Sequence, residues 1–115
     1  MADMDPTEAM VLEVLRVAGV GAASAVTGRA IADTLGMSLR SVQAAVDGLI
    51  KEHHQPVASS TDGRMGYYLI ATETERQRYL AQLRHRMREL ALRSEAIATC
   101  QLHRHADDLV DLMAG

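Results

Sequence analysis

One glycine constrains the fold of this chain more than any other residue. Gly36 stands in the segment "ADTLGMSLRSVQAAVDGL", residues 32–49, between two stretches with helical spacing. Because glycine has no Cβ, Gly36 can adopt the left-handed conformation that ends one helix, and Ser38 can cap the start of the next. The segment therefore predicts two helices that meet at a sharp angle.

The apolar residues around this corner fall where two crossed helices would bury them. They are Ile31, Ala32, Leu35, Met37, Val42 and Ala45, and the second helix continues the stripe with Val46, Leu49 and Ile50. Small Ala32 permits a close crossing of the two helices. The combination predicts a helix-turn-helix and favours DNA binding, although plain helical hairpins share part of this spacing.

The composition favours helices in the rest of the chain as well. At 115 residues, the chain has about the size of one domain, or of a small domain with an appended helix. It has no Phe, no Trp and three Tyr, so the core must be built from aliphatic residues and from the seven Met. Such side chains suit close helix packing better than a large β-sandwich.

Apolar runs and cysteine usage bear on where the protein works. No apolar run approaches the roughly 18 residues of a membrane span, and the acidic start "MADMDPTEAM" differs from a basic signal peptide. Cys100 is the single cysteine, which fits a reducing compartment, although it could still join two chains. We therefore expect a cytoplasmic protein without a membrane partner.

The net charge of −3 is unevenly distributed along the chain. Residues 69–104 carry seven Arg against four Glu, whereas both ends of the chain are acidic. This distribution allows a local positive surface but argues against strong nonspecific attraction to phosphates.

A first helix is predicted in "DPTEAMVLEVLRVAG". Asp5 is the expected N-cap, Pro6 takes the first helical position, Glu8 completes a capping box, and Gly19 ends the helix. Its expected buried stripe is Met10, Val11, Val14, Leu15 and Ala18. The following "GVGAASAVTG" lacks the third glycine of a dinucleotide fingerprint and predicts a plain loop. Thr27 then caps the helix that leads to the corner.

A β-hairpin is predicted after the third helix. The β-compatible runs "QPVASS" and "GYYLIA" flank "TDGRM", whose Asp62-Gly63 step is a strong turn signal. Three helices and this hairpin, over residues 7–71, resemble the winged helix-turn-helix family. They are similar to small proteins of bacteria, phages and mobile elements in which a "GYYL" wing precedes an Arg-rich helix. The expected domains are a winged helix-turn-helix over residues 5–71 and a C-terminal helical segment over residues 72–115.

The resemblance implies that the third helix enters the major groove and that the wing touches the flanking backbone or minor groove. The residues assigned to DNA contact are Arg29, Ser38, Arg40, Ser41, Gln43, Ala44, Lys51 and Arg64. Arg can pair with guanine, Gln with adenine and Ser with phosphate, but these residue types also form ordinary solvated faces. Asp47 would repel phosphates unless it pairs with Lys51 or a cytosine amino group, and Gly48 weakens the helix.

A long helix is predicted after the hairpin. Thr72 and Glu75 form a capping box, and no proline or glycine follows before the last residue. Its apolar residues alternate between spacings of three and four, interrupted by Ser94, as in a coiled coil. This seam consists of Leu80, Leu83, Met87, Leu90 and Ile97. Such a seam either folds back on the domain or joins two chains, and we expect a homodimer.

The charges of the C-terminal segment suggest a second kind of contact. Arg84 and Arg88 stand four residues apart in an Arg-rich stretch, which is either a solvated face or a surface for acidic partners. The acidic tail "DDLVDLM" could supply such acids. The Arg-rich stretch and the acidic tail are therefore the two segments through which a protein partner could bind.

Catalytic and metal-binding patterns are weak. Cys100, His103 and His105 suggest a ligand cluster, but on a helix His105 points away from the other two, and a fourth ligand is missing. No serine, cysteine or carboxylate stands in a recognisable catalytic setting. We therefore expect that the protein is not an enzyme and that it binds neither a cofactor nor a metal ion.

Two functions of different classes follow from these patterns. The first is sequence-specific binding of double-stranded DNA by a homodimer, as a transcriptional regulator or as a replication-origin protein of a phage or mobile element. The second is a winged-helix adaptor that contacts other proteins and no nucleic acid. The charge on the third helix and on the hairpin discriminates between them.

Overall fold

A computed structural model of the chain describes residues 3–60, 63–103 and 113. In chain order, the elements are α1 (Pro6–Ala18), α2 (Gly28–Leu35), α3 (Leu39–Lys51), β1 (Val57–Ser60), β2 (Gly66–Leu69) and α4 (Glu73–Thr99). The prediction of a mostly helical chain with a small β-hairpin and a long C-terminal helix is confirmed. Contacts between residues divide the chain into two compact units, Met1–Ala81 and Gln82–Gly115. The first turns of α4 belong to the first unit.

The first three helices begin at the predicted caps. The Asp5 carboxylate accepts a hydrogen bond from the Glu8 amide, and the Glu8 carboxylate accepts one from the Asp5 amide. Thr27 caps α2 through the Ala30 amide, and Ser38 caps α3. These bonds satisfy amides that a helix start leaves without partners, so they fix where each helix begins.

Gly36 forms the predicted corner between α2 and α3. Its φ of 65° and ψ of 39° lie in the left-handed region. The amides of Gly36 and Met37 both donate to the Ala32 carbonyl, which closes the last turn of α2. The chain therefore leaves α2 abruptly and enters α3 after Ser38, as the sequence predicts.

The hairpin is antiparallel, with Val57 opposite Leu69 and Ser60 opposite Gly66. Of its predicted turn, Gly63 has a positive φ of 62°, while residues 61 and 62 lie outside the described residues. The expected plain loop between α1 and α2 holds a short 3-10 turn and pairs with β2 through backbone bridges at Val20 and Val26. This segment therefore extends the hairpin into a small sheet-like layer.

Gly66 allows that pairing. Its φ is 131°, and a Cβ at this position would collide with the backbone of Val26 and Thr27. The amide and carbonyl of Val26 exchange two hydrogen bonds of 2.8 Å with those of Tyr67. Gly66 thus lets β2 approach the loop closely enough to bond to it.

The core of the first unit lies between α1, α2 and α3. Its buried side chains are Val11, Leu12, Leu15, Ile31, Ala32, Val42, Ala45, Val46, Leu49 and Val57. The predicted stripe of α1 is partly wrong, because Met10 is 43% exposed and Ala18 is exposed, whereas Leu12 is buried. Glu8 is also buried, and at 100° per residue a face centred between Glu8 and Leu15 includes Leu12 and excludes Met10. In α3, Ile50 is 37% exposed and lies at the rim of the expected stripe.

A second, smaller cluster attaches the start of α4 to the hairpin. Ala25, Ala58 and Tyr68 are buried, and Tyr79 packs against them. The Glu75 amide donates to Thr72 Oγ1 at 3.1 Å, so the cap expected at Thr72 is present. The Glu75 carboxylate accepts from the amides of Ala22, at 2.7 Å, and Ala71, at 2.8 Å, and a smaller backbone contribution from Thr72 corresponds to the other half of the expected capping box.

The hydrogen bonds from the Ala22 and Ala71 amides lower the pKa of the Glu75 carboxyl below its ordinary value, and the Ala22 amide makes the larger contribution. A carboxylate at this position therefore prefers its charged form. Because Ala22 lies in the loop before α2, the bond fixes the first turn of α4 to a segment 53 residues earlier in the chain.

The second unit contains the rest of α4, which ends at Thr99. None of the residues of α4 is buried, and Met87, Leu90, Leu92 and Ile97 are all more than half exposed. Residues 101–103 lie outside a helix. The acidic residues of the tail, Asp107, Asp108 and Asp111, fall outside the described residues.

No helix in the described part of the chain combines the length and the apolar character that crossing a bilayer requires.

Candidate nucleic-acid interface

Helix α3 presents a polar face to solvent opposite the face that it buries. Val42, Ala45, Val46 and Leu49 point into the core. The exposed residues on the other side are Arg40, Gln43, Ala44, Asp47 and Lys51. This separation follows from the 3.6-residue period, and it turns four of the predicted DNA-contact residues outward together.

Arg40 and Gln43 lie at the start of this face. Both are exposed, and neither forms a hydrogen bond or ion pair within the part of the chain that the structure describes. Ser38 and Ser41, by contrast, bond to each other: their hydroxyls lie 2.9 Å apart, and the Ser38 oxygen also accepts from the Ser41 amide. Arg40 and Gln43 are therefore the side chains of this turn that are free to bind a ligand.

The far end of the face is nearly neutral. Lys51 Nζ lies 3.0 Å from Asp47 Oδ1, so the pairing that the sequence suggested for Asp47 is present. Both side chains are more than 60% exposed, and such a pair stabilises a protein by at most about 1 kcal/mol. The pair reduces the repulsion that Asp47 would exert on a phosphate, and it also reduces the attraction from Lys51. The positive character of α3 is concentrated at Arg40.

A groove of about 330 Å³ runs between α2, α3 and the hairpin. Its walls include two predicted contact residues, Arg29 and Gln43, which face Ser59, Met65 and Tyr67 from the hairpin. Burial raises the pKa of the Tyr67 phenol above its ordinary value of 10.0, so burial reinforces the neutral form that a phenol already has near pH 7. The structure thus brings Arg29 and Gln43 to one groove beside the hairpin.

Two other predicted residues lie along the edge of α3 that faces α1. Ser41 and Ala44 line a second groove, of about 250 Å³, together with Asp5 and Thr7 from the start of α1. Asp5 is an acid that already serves as a helix cap. The predicted set therefore spans α3 from the hairpin side to the α1 side rather than forming one pocket.

Gly28 positions the first groove and was missed by the sequence prediction. A Cβ at Gly28 would lie 2.8 Å from Leu39 Cδ1 and 3.3 Å from Tyr67 Cε2. The missing side chain lets the start of α2 approach both α3 and β2. The available signal was the position of this glycine directly after the cap residue Thr27, where most other residues form helices better.

Arg64 is held at the end of the hairpin. Its Nε donates a 2.9 Å hydrogen bond to the Ala25 carbonyl, although the residue is exposed. A guanidinium has five N–H donors, so this bond leaves its two terminal nitrogens for a ligand. The predicted wing arginine is therefore present at the surface and oriented by the loop before α2.

A buried acid lies away from this face. Glu8 is 6% exposed, and His53 Nε2 lies 3.2 Å from its Oε1. A Cβ at Gly48 would collide with the Glu8 carboxylate, so Gly48 makes room for that carboxylate between α1 and α3. The sequence prediction treated Gly48 only as a weak point of α3 and missed Glu8 and His53 as partners. They are 45 residues apart, and no local pattern connects them.

Glu8, His53 and the exposed Glu52 each offer a ligand atom within 4.8 Å of the other two, so these residues could hold a metal ion. The Glu8 oxygen already accepts hydrogen bonds from the Asp5 amide and from His53. These bonds account for the buried carboxylate as a link between α1 and the end of α3. Of the cluster considered from the sequence, the Cys100 thiol donates to the Ile97 carbonyl at 3.2 Å, and His105 lies outside the described residues.

Comparison with protein-family models, curated proteins and solved structures found no match for this chain. The features of the molecule that bear on its function are the exposed face of α3, the groove beside it and the hairpin arginine.

Proposed function

We propose that this protein binds specific sequences in double-stranded DNA as a homodimer and acts as a transcriptional regulator. The observation that supports this most strongly is the start of α3, where Arg40 and Gln43 are exposed and have no partner among the described residues. Helix α3 would enter the major groove, and the hairpin would contact the backbone beside it. The order of three helices and a hairpin resembles the winged helix-turn-helix arrangement in which this docking occurs.

The chemistry of the two free side chains suits base recognition. A guanidinium donates two parallel hydrogen bonds to O6 and N7 of guanine, and a glutamine amide pairs in the same way with adenine. Arg40 and Gln43 are three residues apart, so they project from adjacent turns of one helix face. We therefore assign base contacts to these two residues.

Arg64 and Arg29 supply backbone contacts in this proposal. Arg64 is at the surface of the hairpin, and Arg29 stands in the groove between the hairpin and α3. Contacts from arginine to phosphate position a protein on DNA without selecting a sequence. With few such contacts, a single copy of the domain has weak attraction to DNA, in keeping with the net charge of −3.

A homodimer would compensate for this weak attraction. Linking two domains raises the effective concentration of the second domain once the first has bound. The available surface is the apolar seam of α4, of which Met87, Leu90 and Ile97 are exposed in the single chain. A twofold dimer predicts that the selected DNA is an inverted repeat, with half-sites about one helical turn apart or a multiple of it.

The test of DNA binding starts from a pool of random duplexes. After selection, fluorescence anisotropy at several salt concentrations compares Arg40→Ala and Arg64→Ala with the unmodified protein. We expect Arg40→Ala to lose about 1–3 kcal/mol of binding free energy and to relax preference at one base pair. Arg64→Ala should weaken binding to all sequences alike and lower the salt slope by about one unit.

Arg16→Ala is the matched control, because Arg16 is an exposed arginine on α1 whose recorded partner is Glu13. Equal behaviour of all three variants would show that α3 and the hairpin do not contact DNA. If the pool yields no preferred sequence, the protein-binding adaptor becomes the better explanation.

The test of the dimer is independent of DNA. Light scattering at micromolar concentration should give about twice the 12.5 kDa mass of one chain. The double variant Leu83→Asp with Leu90→Asp should give a single-chain mass with unchanged helix content, since burying each leucine is worth roughly 1.5–3 kcal/mol. A mass near 12.5 kDa for the unmodified protein would contradict the dimer.

A further inference from the structure

We infer that two copies of α4 pair in parallel and in register through the seam between Leu83 and Ile97. This inference rests on the proposed homodimer and specifies its partner surface and orientation. The segment is a continuous helix within Glu73–Thr99; Leu83 is half-buried, whereas Met87, Leu90 and Ile97 are exposed in the single chain. A second copy with the same seam is a matching occupant for such a surface.

The seam follows the seven-residue repeat of a coiled coil. If Leu80 is taken as position a of the repeat, every later a and d position up to Ile97 follows at a spacing of three or four residues. Positions a are Leu80, Met87 and Ser94, and positions d are Leu83, Leu90 and Ile97. Leu92 is 62% exposed, like the seam residues Met87, Leu90 and Ile97, but it lies outside the seam, at position f. The repeat thus separates seam residues from an equally apolar residue on the opposite side of the helix.

Ser94 distinguishes the two orientations. In a parallel, in-register pair, each a residue faces the same a residue of the other chain, so two Ser94 hydroxyls meet and can hydrogen-bond to each other. In an antiparallel pair, a residues face d residues, so each Ser94 hydroxyl faces Leu83, Leu90 or Ile97 in every register that pairs it within the seam. A hydroxyl that is covered by an apolar side chain without a partner is destabilising. The serine therefore favours the parallel arrangement.

The arginines beside the seam favour the same orientation. Arg86 and Arg93 occupy positions g, and Ala91 and Ala98 occupy positions e. A parallel pair brings g next to e of the other chain, so each of these arginines lies over an alanine. An antiparallel pair brings g next to g, which places arginine beside arginine. Like charges across a seam are repulsive, and within the described residues neither Arg86 nor Arg93 has an ion-pair partner.

Cross-linking through a single introduced cysteine tests the orientation. In a Cys100→Ser background, Ile97→Cys places one thiol per chain at a d position, and oxidised glutathione supplies the oxidant. A parallel pair brings the two thiols together. An antiparallel pair aligned along the full seam places Ile97 opposite Leu80 and separates the two thiols by about 25 Å, at 1.5 Å per residue. We expect a disulfide-linked dimer on a non-reducing gel, which dithiothreitol reverses.

Leu92→Cys in the same background is the matched control. Leu92 is 62% exposed and Ile97 is 68% exposed, so the thiols have similar access to oxidant, but position f points away from a coiled-coil partner. Covalent dimer should form roughly tenfold faster or more with Ile97→Cys than with Leu92→Cys, because a disulfide requires Cβ atoms within a few ångströms. Equal rates would overturn the inference.

A mixture of two cysteine variants, also in the Cys100→Ser background, tests for the antiparallel arrangement. Chains with Leu83→Cys and chains with Ser94→Cys should cross-link to each other only in an antiparallel pair, in which these positions are opposite. That result, with light scattering still showing a dimer, would overturn the orientation and leave the homodimer intact. A single-chain mass by light scattering would overturn both, whereas DNA binding is measured separately by anisotropy.

Discussion

The two compact units of this chain differ in how far their apolar side chains are buried. In the first unit, Val11, Leu15, Ile31 and Leu49 are completely buried between three helices. In the second, the helix has no buried residue, and Ile97 is 68% exposed. The first unit therefore buries a hydrophobic core within one chain, while the second has no buried core and presents a repeat of apolar side chains to its surroundings.

Hydrogen bonds show the same difference. The first unit contains side-chain bonds between residues far apart in sequence, such as His53 to Glu8 and the Ala22 amide to Glu75. The side-chain bonds recorded within the second unit are local, for example from the Thr99 hydroxyl to the Glu95 carbonyl. Long-range bonds fix tertiary structure, whereas local ones support a helix. The two units should therefore respond differently to mutation.

The largest expected effect separates a core leucine from a seam leucine. Leu15→Ala should lower the free energy of unfolding by about 2–5 kcal/mol at any protein concentration, since it leaves a cavity in the core. Leu90→Ala should change it by less than about 0.5 kcal/mol in a dilute, monomeric sample. Urea denaturation followed by circular dichroism measures both.

Protein concentration sharpens this contrast. If the seam joins two chains, the effect of Leu90→Ala should grow as concentration rises, while that of Leu15→Ala should stay constant. A large, concentration-independent effect of Leu90→Ala would mean that the seam is part of the fold of a single chain.

The next prediction concerns Gly48, inside α3. Replacing an interior helical glycine by alanine ordinarily stabilises a protein by about 1 kcal/mol. Here the new methyl group would displace the Glu8 carboxylate from its bonds with Asp5 and His53. We expect Gly48→Ala to destabilise the protein by about 1–3 kcal/mol.

A double-mutant cycle identifies the cause. In a Glu8→Ala background the carboxylate is absent, so Gly48→Ala should become stabilising by about 0.5–1 kcal/mol. The comparison uses the midpoint of thermal or urea unfolding for all four proteins. Equal effects of Gly48→Ala in both backgrounds would show that Glu8 is not the obstacle.

The smallest expected effect is the pH dependence contributed by Glu75. Backbone amides lower the pKa of this carboxyl in the folded state, so the charged form stabilises the fold. That contribution is complete above the ordinary pKa of 4.5 and is lost as the pH falls through the lower, folded-state pKa. Because the group is partly solvated, we expect about 0.5–1 kcal/mol.

Glu75→Gln should remove this contribution, which urea unfolding measures at about pH 7 and at about pH 3.5. The variant should be less stable than the unmodified protein at the higher pH, and the difference between the two should be smaller at the lower pH. Glu73→Gln is the control, since Glu73 is exposed and bonds to Gln77 and Arg76. A similar pH response in both variants would contradict the role of the Ala22 and Ala71 amides.

The parts of the fold that the sequence predicted correctly depend on neighbouring residues. Asp5, Thr27 and Ser38 cap helices through amides three residues away, and Gly36 ends α2 through its own backbone. Such interactions are visible in a short window of sequence. The stripe of α1 failed at Met10 and Leu12 because apolar residues occur on several sides of this helix, and the buried Glu8 lies on the side that faces the core.

The candidate site was predictable to a similar extent. The exposure of Arg40 and Gln43 follows from the period of α3, so the sequence sufficed to place them. The division of the predicted residues between two grooves depends on where α1 and the hairpin pack. Gly28 and Gly66 had no assigned role, and Gly48 was interpreted only as a weak point of α3, because each accommodates an atom that is distant in sequence.

The bond between Arg64 and the Ala25 carbonyl has a consequence for the entropy of binding. A long side chain loses roughly 0.5–1.5 kcal/mol of rotamer freedom when a ligand immobilises it. Arg64 has already given up part of that freedom on folding, because its Nε is fixed at 2.9 Å from a backbone oxygen. Arg40 has no such bond to any residue that the structure describes, so the ligand itself must order it. The hairpin arginine therefore enters any complex partly preorganised, and the arginine of α3 keeps the freedom to adjust to the surface that it meets.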